Sequence, residues 1–280
     1  MLHTTYTTAR DIIKKYGRGY YRATFLFPKS IREATWTYYE FVRTADECVD
    51  DSTVTNHQKT LLEWKDAWIQ AQTGKETTQL FKKYSEILTQ YRIPLEYTHA
   101  FLDSMEQDLT VTRYQSYADL EAYMYGSAVV VGYTMSHIIG FQEGALPYAK
   151  ALAEAFQMTN FLRDVKEDYD ARGRIYIPQE DMQRFGVTEE MVAHGLCTPE
   201  WQALMRFEIA RTRALYEKGV AGISYLDAQG RKAVYAAALI YDDILNTIER
   251  NNYDVFTKRA IVSPFRKTVL LLKAVWKRNQ

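Results

Sequence analysis

The stretch Gln157-Met-Thr-Asn-Phe-Leu-Arg-Asp-Val-Lys-Glu-Asp168 carries the strongest pattern in this sequence. Gln157, Asn160, Asp164 and Asp168 are spaced three and four residues apart, which places them on one face of a helix. Apolar residues occupy the other faces. The four polar side chains offer oxygen atoms in a line, and hard cations such as Mg²⁺ take oxygen ligands. The pattern therefore predicts a helix with a polar stripe inside an apolar protein.

A second group of carboxylates lies in an earlier helical stretch, where Arg43, Asp46 and Asp50 share one face. Each motif holds two aspartates at i and i+4, which repel by about 0.2–0.5 kcal/mol when exposed. Because this cost is small, a solvated outer face is the favoured interpretation of either aspartate pair taken alone. If both stripes face one cavity, four carboxylates converge without His or Cys ligands. That set favours Mg²⁺ over zinc, with the ion bridging phosphate oxygens of a substrate.

Arginines lie beside both acidic motifs, at positions 43, 163, 172 and 174. The planar guanidinium of arginine can form two bonds at once to a diphosphate. Local ion pairing with the neighbouring acids is an equally good interpretation of each arginine taken alone.

Helical periodicity dominates the chain, because apolar residues recur at three- and four-residue spacing between turn residues. The predicted helices lie near residues 5–16, 31–51, 57–72, 77–91, 95–110, 117–141, 146–170, 199–222, 231–250 and 265–277. The one long irregular stretch is 171–178, and short helical pieces follow it to about residue 195. We find no repeat and no linker. The sequence therefore predicts one all-α domain over residues 1–280.

Composition excludes several functions. The 280 residues include 35 basic and 35 acidic side chains, a balance that argues against binding to nucleic acid and against a polybasic membrane anchor. Apolar residues make up 47% and charged residues 25%, which is ordinary globular usage.

Two cysteines, Cys48 and Cys197, form no CxxC pair and agree with a reducing compartment. The N-terminus has no apolar signal segment, so we expect a cytoplasmic protein.

Two apolar segments bear on membrane contact. Residues 122–142 carry no charge over about the length of a membrane span, but Gly, Ser, Thr and His interrupt the segment. A buried helix is the favoured interpretation and a membrane helix is the alternative. Residues 269–278 are too few and too basic to span a bilayer. Packing on the domain is favoured for them, with peripheral contact to a membrane surface as the alternative.

These motifs resemble the signature of the squalene/phytoene synthase family, the head-to-head prenyl synthases. The most specific match is the run 160–168 followed by Arg172-Gly-Arg-Ile-Tyr-Ile-Pro178. Residues 46–51 resemble the family's first aspartate-rich motif. Further blocks that resemble the family are Met105-Glu-Gln-Asp108-Leu, Tyr123-Met-Tyr-Gly126, Tyr241-Asp-Asp-Ile-Leu and Asn252-Tyr-Asp-Val-Phe-Thr-Lys-Arg259. The C-terminal blocks have a form similar to that of phytoene synthases, and all blocks follow the family's order from about residue 10 to 267.

The resemblance implies an isoprenoid-synthase helical bundle around a central apolar cavity, and it implies a role for each matching position. Two or three Mg²⁺ ions and the diphosphate would be held by Asp46, Asp50, Asp164 and Asp168. Further contacts to the substrate would come from Arg43, Gln157, Asn160, Arg163, Arg174 and Arg259. The implied catalytic residues are Tyr123, Tyr176 and Tyr241, near the cation and leaving group, and Asp108, at the polar end of the cavity.

One block departs from the family. The common Ser-x-Ser-Phe element is replaced by Gly17-Arg-Gly-Tyr20, where Arg18 or Tyr20 would take over the contact to substrate. Plausible cavity walls are residues 128–131, Phe25, Trp36 and Tyr39, because a carbocation needs water exclusion and aromatic faces.

The implied reaction is an Mg²⁺-dependent joining of two allylic prenyl diphosphates, either geranylgeranyl or farnesyl diphosphate. It proceeds through a cyclopropylcarbinyl diphosphate to phytoene or dehydrosqualene, in carotenoid and isoprenoid biosynthesis. The C-terminal blocks favour phytoene, and no NADPH is expected. Two alternatives stay open. A terpene cyclase on the same scaffold is disfavoured by the tail Arg174-Ile-Tyr-Ile-Pro178, and a catalytically silent assembly protein is disfavoured because all four aspartates are present.

Overall fold

The computed structural model describes residues 8–75 and 77–276, without the side chains of residues 18 and 19. Over these ranges the chain forms fifteen α-helices and no β-strand, which confirms the all-α prediction. In chain order the helices are α1 (Ala9–Tyr16), α2 (Arg18–Thr24), α3 (Lys29–Asp50), α4 (His57–Gln72), α5 (Gln79–Gln90), α6 (Leu95–Gln107), α7 (Tyr117–Met124), α8 (Val130–Ile139), α9 (Leu146–Arg163), α10 (Val165–Arg172), α11 (Gln179–Arg184), α12 (Glu189–Ala193), α13 (Pro199–Ala221), α14 (Ala228–Arg250) and α15 (Pro264–Trp276).

Two large apolar clusters form the core. One is built around α9, α13 and α14, with the fully buried Trp201 and Leu204 among its members. The other is formed by α3, α4, α5, α6 and α8. Aromatic residues connect these helices: the ring centroids of Phe41 and Tyr84 lie 3.9 Å apart, and those of Phe41 and Trp68 lie 5.0 Å apart. Helices α8 and α9 pack on each other between the clusters. The apolar stripes of these helices bury against neighbouring helices, as expected for a bundle.

Three predicted helical segments differ from the structure in detail. The segment 117–141 is interrupted by a π-helical turn, Tyr125–Val129, between α7 and α8. At Gly126 an added Cβ would lie 2.5 Å from the carbonyl oxygen of Ala100, so only glycine permits this close approach to α6. The segment 146–170 is divided at Asp164 into α9 and α10. The segment 95–110 ends as a helix at Gln107, and the short helix α2 was not among the predicted segments.

No helix in the described ranges is both long enough and apolar enough to cross a membrane.

A buried carboxylate in α13 offers a test of the packing away from the cavity. Glu208 is fully buried, and the Arg211 guanidinium lies 2.9 Å from its carboxylate and 2.8 Å from that of Asp181. Burial raises the pKa of Glu208 from 4.5 to about 8, against the opposing effect of Arg211. The folded protein therefore holds a proton that the unfolded chain releases as the pH rises from 4.5 towards 8. The stability that Glu208 contributes is therefore present below pH 4.5 and is lost as the pH rises to about 8.

We expect Glu208→Gln, which mimics the protonated acid, to flatten the loss of stability between about pH 4.5 and pH 8. Relative to wild type, its free energy of unfolding should rise by about 1–3 kcal/mol across this range. Urea unfolding at several pH values measures the difference. Glu217→Gln, at an exposed position of the same helix, is the matched control and should keep the wild-type profile. If the free energy of unfolding falls equally with pH in Glu208→Gln and in wild type, the raised pKa of Glu208 is contradicted.

Candidate active site

The two aspartate motifs face each other across a single arginine. Asp50 lies at the C-terminal end of α3, and Asp168 lies in the first turn of α10. Arg172 extends between them, with its Nε 2.8 Å from Asp50 Oδ1 and its Nη1 3.3 Å from Asp168 Oδ1. Residues more than a hundred positions apart in the chain are thus brought to one site.

Arg174 contributes a second contact to the same carboxylate. Its Nη1 lies 3.1 Å from Asp50 Oδ1, and its Nη2 donates to the backbone oxygen of Asp108 at 2.7 Å. Gly173 separates the two arginines and takes the left-handed conformation that ends α10, with φ of 62°. This turn lets Arg172 and Arg174 reach back towards α3, and a side chain at position 173 would be strained there.

The remaining two aspartates also contact arginines. Arg163 Nε donates to Asp164 Oδ1 at 2.8 Å, and Arg259 Nε donates to the same oxygen at 2.9 Å. Arg43 Nη1 lies 2.6 Å from Asp46 Oδ2. Asp46, Asp50, Asp164 and Asp168 are therefore each in contact with at least one guanidinium, and these arginines are positioned where an anionic group would meet them.

Burial raises the pKa of three carboxyls at this site. It raises the pKa of Asp46 and that of Asp168 to about 7, and the neighbouring charges of Asp50 and Asp164 add to the respective shifts. It raises the pKa of Asp108 to about 6, although Arg174 opposes the shift. The arginines thus compensate only part of the cost of ionising these groups, and a further cation would stabilise the ionised forms.

The chemistry of the donor atoms fits a hard cation. Four carboxylates and two side-chain amides supply oxygen atoms, and Asn160 Oδ1 is buried without a hydrogen-bond partner. An orphaned buried acceptor of this kind is satisfied when an ion or its hydration shell occupies the site. Within the described ranges no three acidic, His or Cys side chains converge as a ready cation site, because arginines lie between the acids. The residues therefore fit Mg²⁺ that is shared with a phosphate ligand rather than a closed protein cage.

Two of the predicted catalytic tyrosines form an aromatic wall beside Asp108. The Tyr123 hydroxyl donates to Asp108 Oδ1 at 2.8 Å, and the ring centroids of Tyr123 and Tyr176 lie 5.8 Å apart. Phe161 stacks on Tyr176 at 4.0 Å, and Tyr114 stacks on its other side at 5.9 Å. Burial raises the pKa of Tyr123 and of Tyr176 above the usual range, so both phenols stay protonated at neutral pH.

The third tyrosine lies on the other side of the site. The ring of Tyr241 stacks on that of Tyr20 with centroids 4.6 Å apart, and Phe156 lies 4.9 Å from Tyr241. Arg163 is close enough to Tyr241 to oppose the rise in the pKa of Tyr241 that burial causes. The structure therefore brings Tyr20 to the site, whereas the side chain of Arg18 lies outside the described part of the chain.

An apolar cavity of about 330 Å³ opens beside these residues. Gln157, Tyr20 and Tyr39 line it, and Tyr39 is near enough to Arg43 and Asp46 for their charges to act on the pKa of its hydroxyl. Small residues of the π-helical turn, α8, α9 and α13 form part of the remaining wall. They are Ala128, Gly132, Ala149, Ala153 and Gly219. The cavity is therefore mainly apolar and meets the polar stripe at Gln157.

The prediction of cavity walls is correct for Ala128, Val131 and Tyr39. It is wrong for Phe25 and Trp36, and for Val129 and Val130, which are buried away from the cavity. Phe25 is 47% exposed, and its ring contacts Trp36 with centroids 5.9 Å apart. Trp36 Nε1 donates to Thr24 Oγ1 at 3.0 Å. The two rings lie on the outer side of α2 and α3 because the inner sides of these helices are taken by Thr24, Thr35 and Tyr39.

Arg172 lies between the two motifs, whereas the family resemblance implies no role for it. The sequence favours neither diphosphate binding nor local ion pairing for this arginine taken alone. Its spacing of four residues from Asp168 was the available signal, since such a pair shares one helix face. Nothing in the spacing indicates the contact with Asp50, which depends on how α3 packs.

Comparisons with known proteins agree with this geometry. The family model described as squalene/phytoene synthase matches residues 13–266. The chain is 34% identical to a 15-cis-phytoene synthase of Synechocystis sp., with 98% of this chain and 85% of that protein covered. It is 33% identical to a 15-cis-phytoene synthase of Synechococcus elongatus, with 95% and 91% covered.

Solved structures show the same fold. A dehydrosqualene synthase in complex with ligand superimposes with a TM-score of 0.87 and 28% identity, covering 95% of this chain and 94% of that one. The squalene synthase of Alicyclobacillus acidocaldarius shares the fold with a TM-score of 0.77 at 22% identity, covering 88% of this chain and 95% of that one. With the match over most of the chain and both aspartate motifs in place, the chain belongs to the squalene/phytoene synthase family.

Proposed function

We propose that this prenyltransferase-family chain joins two molecules of geranylgeranyl diphosphate head to head and forms phytoene through a cyclopropylcarbinyl diphosphate, in an Mg²⁺-dependent reaction. The observation that carries the proposal is the bridge from Asp50 through Arg172 to Asp168, together with an apolar cavity lined by Gln157, which belongs to the same polar stripe as Asp168. A charged headgroup and a long prenyl tail need these two environments side by side.

The four aspartates, with Gln157 and Asn160, would hold Mg²⁺ together with the diphosphate. When bound, the ion would draw electron density from the diphosphate and make it a better leaving group. The arginines that now contact the aspartates would turn part of their donors towards diphosphate oxygens, because guanidinium binds carboxylate and phosphate in the same planar geometry. Arg172 and Arg174 reach the site from one side, and Arg163 and Arg259 from another.

In the first half-reaction, the C1–O bond of one substrate breaks and the diphosphate leaves with the electron pair. The double bond of the second substrate attacks the cation, and loss of a proton closes the cyclopropane ring. In the second half-reaction the remaining diphosphate leaves, the carbon skeleton rearranges, and loss of another proton gives a triene. The hydroxyl of Tyr241, which is near enough to Arg163 for that charge to act on its pKa, would donate to a departing diphosphate.

Aromatic rings would protect the cationic intermediates. Tyr20, Tyr39 and Phe156 line the cavity, and an aromatic face attracts positive charge by about 0.5–2 kcal/mol. The hydrogen bond from Tyr123 fixes that ring and satisfies the buried carboxylate of Asp108. The apolar lining excludes water, which would quench the cation to an alcohol.

The choice of the C20 substrate rests on the relatives. Those at 30–34% identity that cover most of this chain are named phytoene synthases. The dehydrosqualene synthase, which shares the fold, is 28% identical. Farnesyl diphosphate, which would give dehydrosqualene, is therefore the alternative substrate that the experiment must separate.

The test is to incubate the purified chain with Mg²⁺ and either geranylgeranyl or farnesyl diphosphate, without NADPH, and to analyse the extracted lipids. We expect a C40 triene from geranylgeranyl diphosphate, and loss of product when Mg²⁺ is removed with a chelator. A C30 triene as the main product would reassign the substrate. Cyclic C15 or C20 products would favour a terpene cyclase, and no turnover with either substrate would favour a catalytically silent assembly protein.

A further inference from the structure

Helix α15 has two apolar faces. Its inner face packs on the domain, with Leu270 and Ala274 buried and Leu271 half-buried against α14. The outer face carries large apolar side chains at spacings of four, three and four residues, which forms one stripe along the helix. With their exposed fractions, these are Phe265 (80%), Val269 (37%), Leu272 (55%) and Trp276 (83%).

The stripe is unusual for a surface helix, whose outward face is normally polar. Single exposed apolar residues are common, but a contiguous apolar stripe marks a surface that binds something. Elsewhere in the described part of the chain, the nearest parallel is a pair on α4, where Leu62 and Ile69 are exposed two turns apart. That pair has no third or fourth member on its face.

The charge around α15 indicates what the stripe binds. The 26 residues from 255 to 280 include seven basic residues and no acidic residue, although the whole chain has no net charge. These basic residues are Lys258, Arg259, Arg266, Lys267, Lys273, Lys277 and Arg278. Within the described part of the segment, Lys273 directly follows Leu272 of the stripe and is exposed. An apolar helix face flanked by lysine and arginine matches an anionic lipid surface.

The helix is also held in a fixed orientation. Arg266 forms two contacts of 3.2 Å from its Nε, and one of 3.0 Å from Nη2, to the buried carboxylate of Asp243 on α14. The charge of Arg266 is therefore paired with that of Asp243. This ion pair fixes the orientation of α15, so that the stripe points away from the domain. Ala274 packs on Ala23 and Ala236, and Ala23 also lines the apolar cavity. The stripe therefore lies one helix layer outside the cavity.

We propose that the stripe of α15 is a docking surface for an anionic lipid bilayer, with the apolar side chains inserted and the basic residues at the headgroups. A second copy of the chain fits less well, because a two-fold contact would bring two equally basic segments together. Both interpretations of residues 269–278, packing on the domain and contact with a membrane surface, then apply, because one face of α15 packs on the domain while the other meets the membrane.

The test is flotation of the whole chain with vesicles of phosphatidylcholine containing about 30 mol% phosphatidylserine, and with vesicles of phosphatidylcholine alone. We expect binding to the anionic vesicles that weakens in about 0.5 M salt, where charges are screened. Phe265→Ser combined with Leu272→Ser should lower the bound fraction about tenfold or more. The matched control combines Leu62→Ser with Ile69→Ser, which removes two exposed apolar residues at the same spacing from α4, and should bind as wild type.

Thermal unfolding shows that each variant is folded, and turnover of substrate presented in detergent should be unchanged in both. Equal flotation of the α15 variant and wild type would overturn the proposal, as would equal binding of the wild type to both vesicle types. A dimer in light scattering that the α15 variant abolishes, without vesicle binding by the wild type, would assign the stripe to a second copy instead. Because flotation needs no substrate, its outcome is independent of the proposed reaction.

Discussion

Replacing Asp168 by asparagine is expected to lower the turnover of allylic diphosphates by about 10²–10³-fold, the usual cost of losing one group that stabilises a leaving anion. The carboxylate of Asp168 is 17% exposed, contacts Arg172 and faces Asp50 across that arginine. Asparagine keeps the shape and one oxygen but removes the charge. Asp46→Asn, on the opposing motif, should show a loss of similar size.

The matched control is Asp170→Asn, two residues further along α10. Asp170 is 54% exposed and pairs with Lys166, away from the site. It should keep near-normal turnover, whereas equal losses at positions 168 and 170 would indicate a general effect on α10. The midpoint of thermal unfolding should change by only a few degrees in each variant, because Arg172 keeps its contact with Asp50. Near-normal turnover of both Asp46→Asn and Asp168→Asn would show that the motifs do not act on the diphosphate.

Filling the far part of the cavity should change which substrate is used. Gln157, Ala153, Ala149 and Ala145 line the cavity at intervals of one helical turn along α9. Twelve residues of helix span about 18 Å, so Ala149 lies about 12 Å along α9 from Gln157 of the polar stripe. We expect Ala149→Phe to lower kcat/KM for geranylgeranyl diphosphate about 100-fold or more, while farnesyl diphosphate is affected far less.

The ratio of the two kcat/KM values is the measurement, because it cancels any general loss of active protein. Ala149→Val, which adds two methyl groups, should give a smaller change in the same direction. A substrate ratio that Ala149→Phe leaves unchanged would contradict the assignment of this cavity to the prenyl tail. A parallel loss of both activities with a lowered unfolding midpoint would point to disturbed packing, and Ala149→Val would then decide the assignment.

The sequence predicted the helices well because their boundaries depend on local signals. Residues 57–72 and 95–107 form helices where apolar spacing and turn residues predict them. The division at Asp164 could not be predicted, since the run 157–168 has unbroken helical spacing. There the backbone unwinds with φ of −106°, and the Asp164 side chain contacts both Arg163 and the distant Arg259. Contacts of this kind depend on tertiary structure and leave no periodic signal.

The candidate site was predictable in its residue types and not in its arrangement. Both aspartate motifs were recognised, but the contact of Arg172 with Asp50 depends on how α10 packs beside α3. Phe25 and Trp36 are predicted in the cavity wall because aromatic residues suit that role, whereas the structure uses other aromatic residues, among them Tyr20, Tyr39 and Phe156, together with alanine and glycine. Composition alone does not show which residues of a helix face a cavity.

The most direct test is calorimetric binding of an unreactive thiolodiphosphate analogue of geranylgeranyl diphosphate, with and without Mg²⁺. The measurement is made on wild type, Asp46→Asn, Asp168→Asn and the double variant. If the motifs act together on one metal-bound diphosphate, binding of the analogue requires Mg²⁺ and either single variant weakens it strongly. The loss of binding free energy in the double variant is then much smaller than the sum of the losses in the two single variants. Binding that does not need Mg²⁺, or that neither substitution changes, would contradict the joint role of the two aspartate motifs.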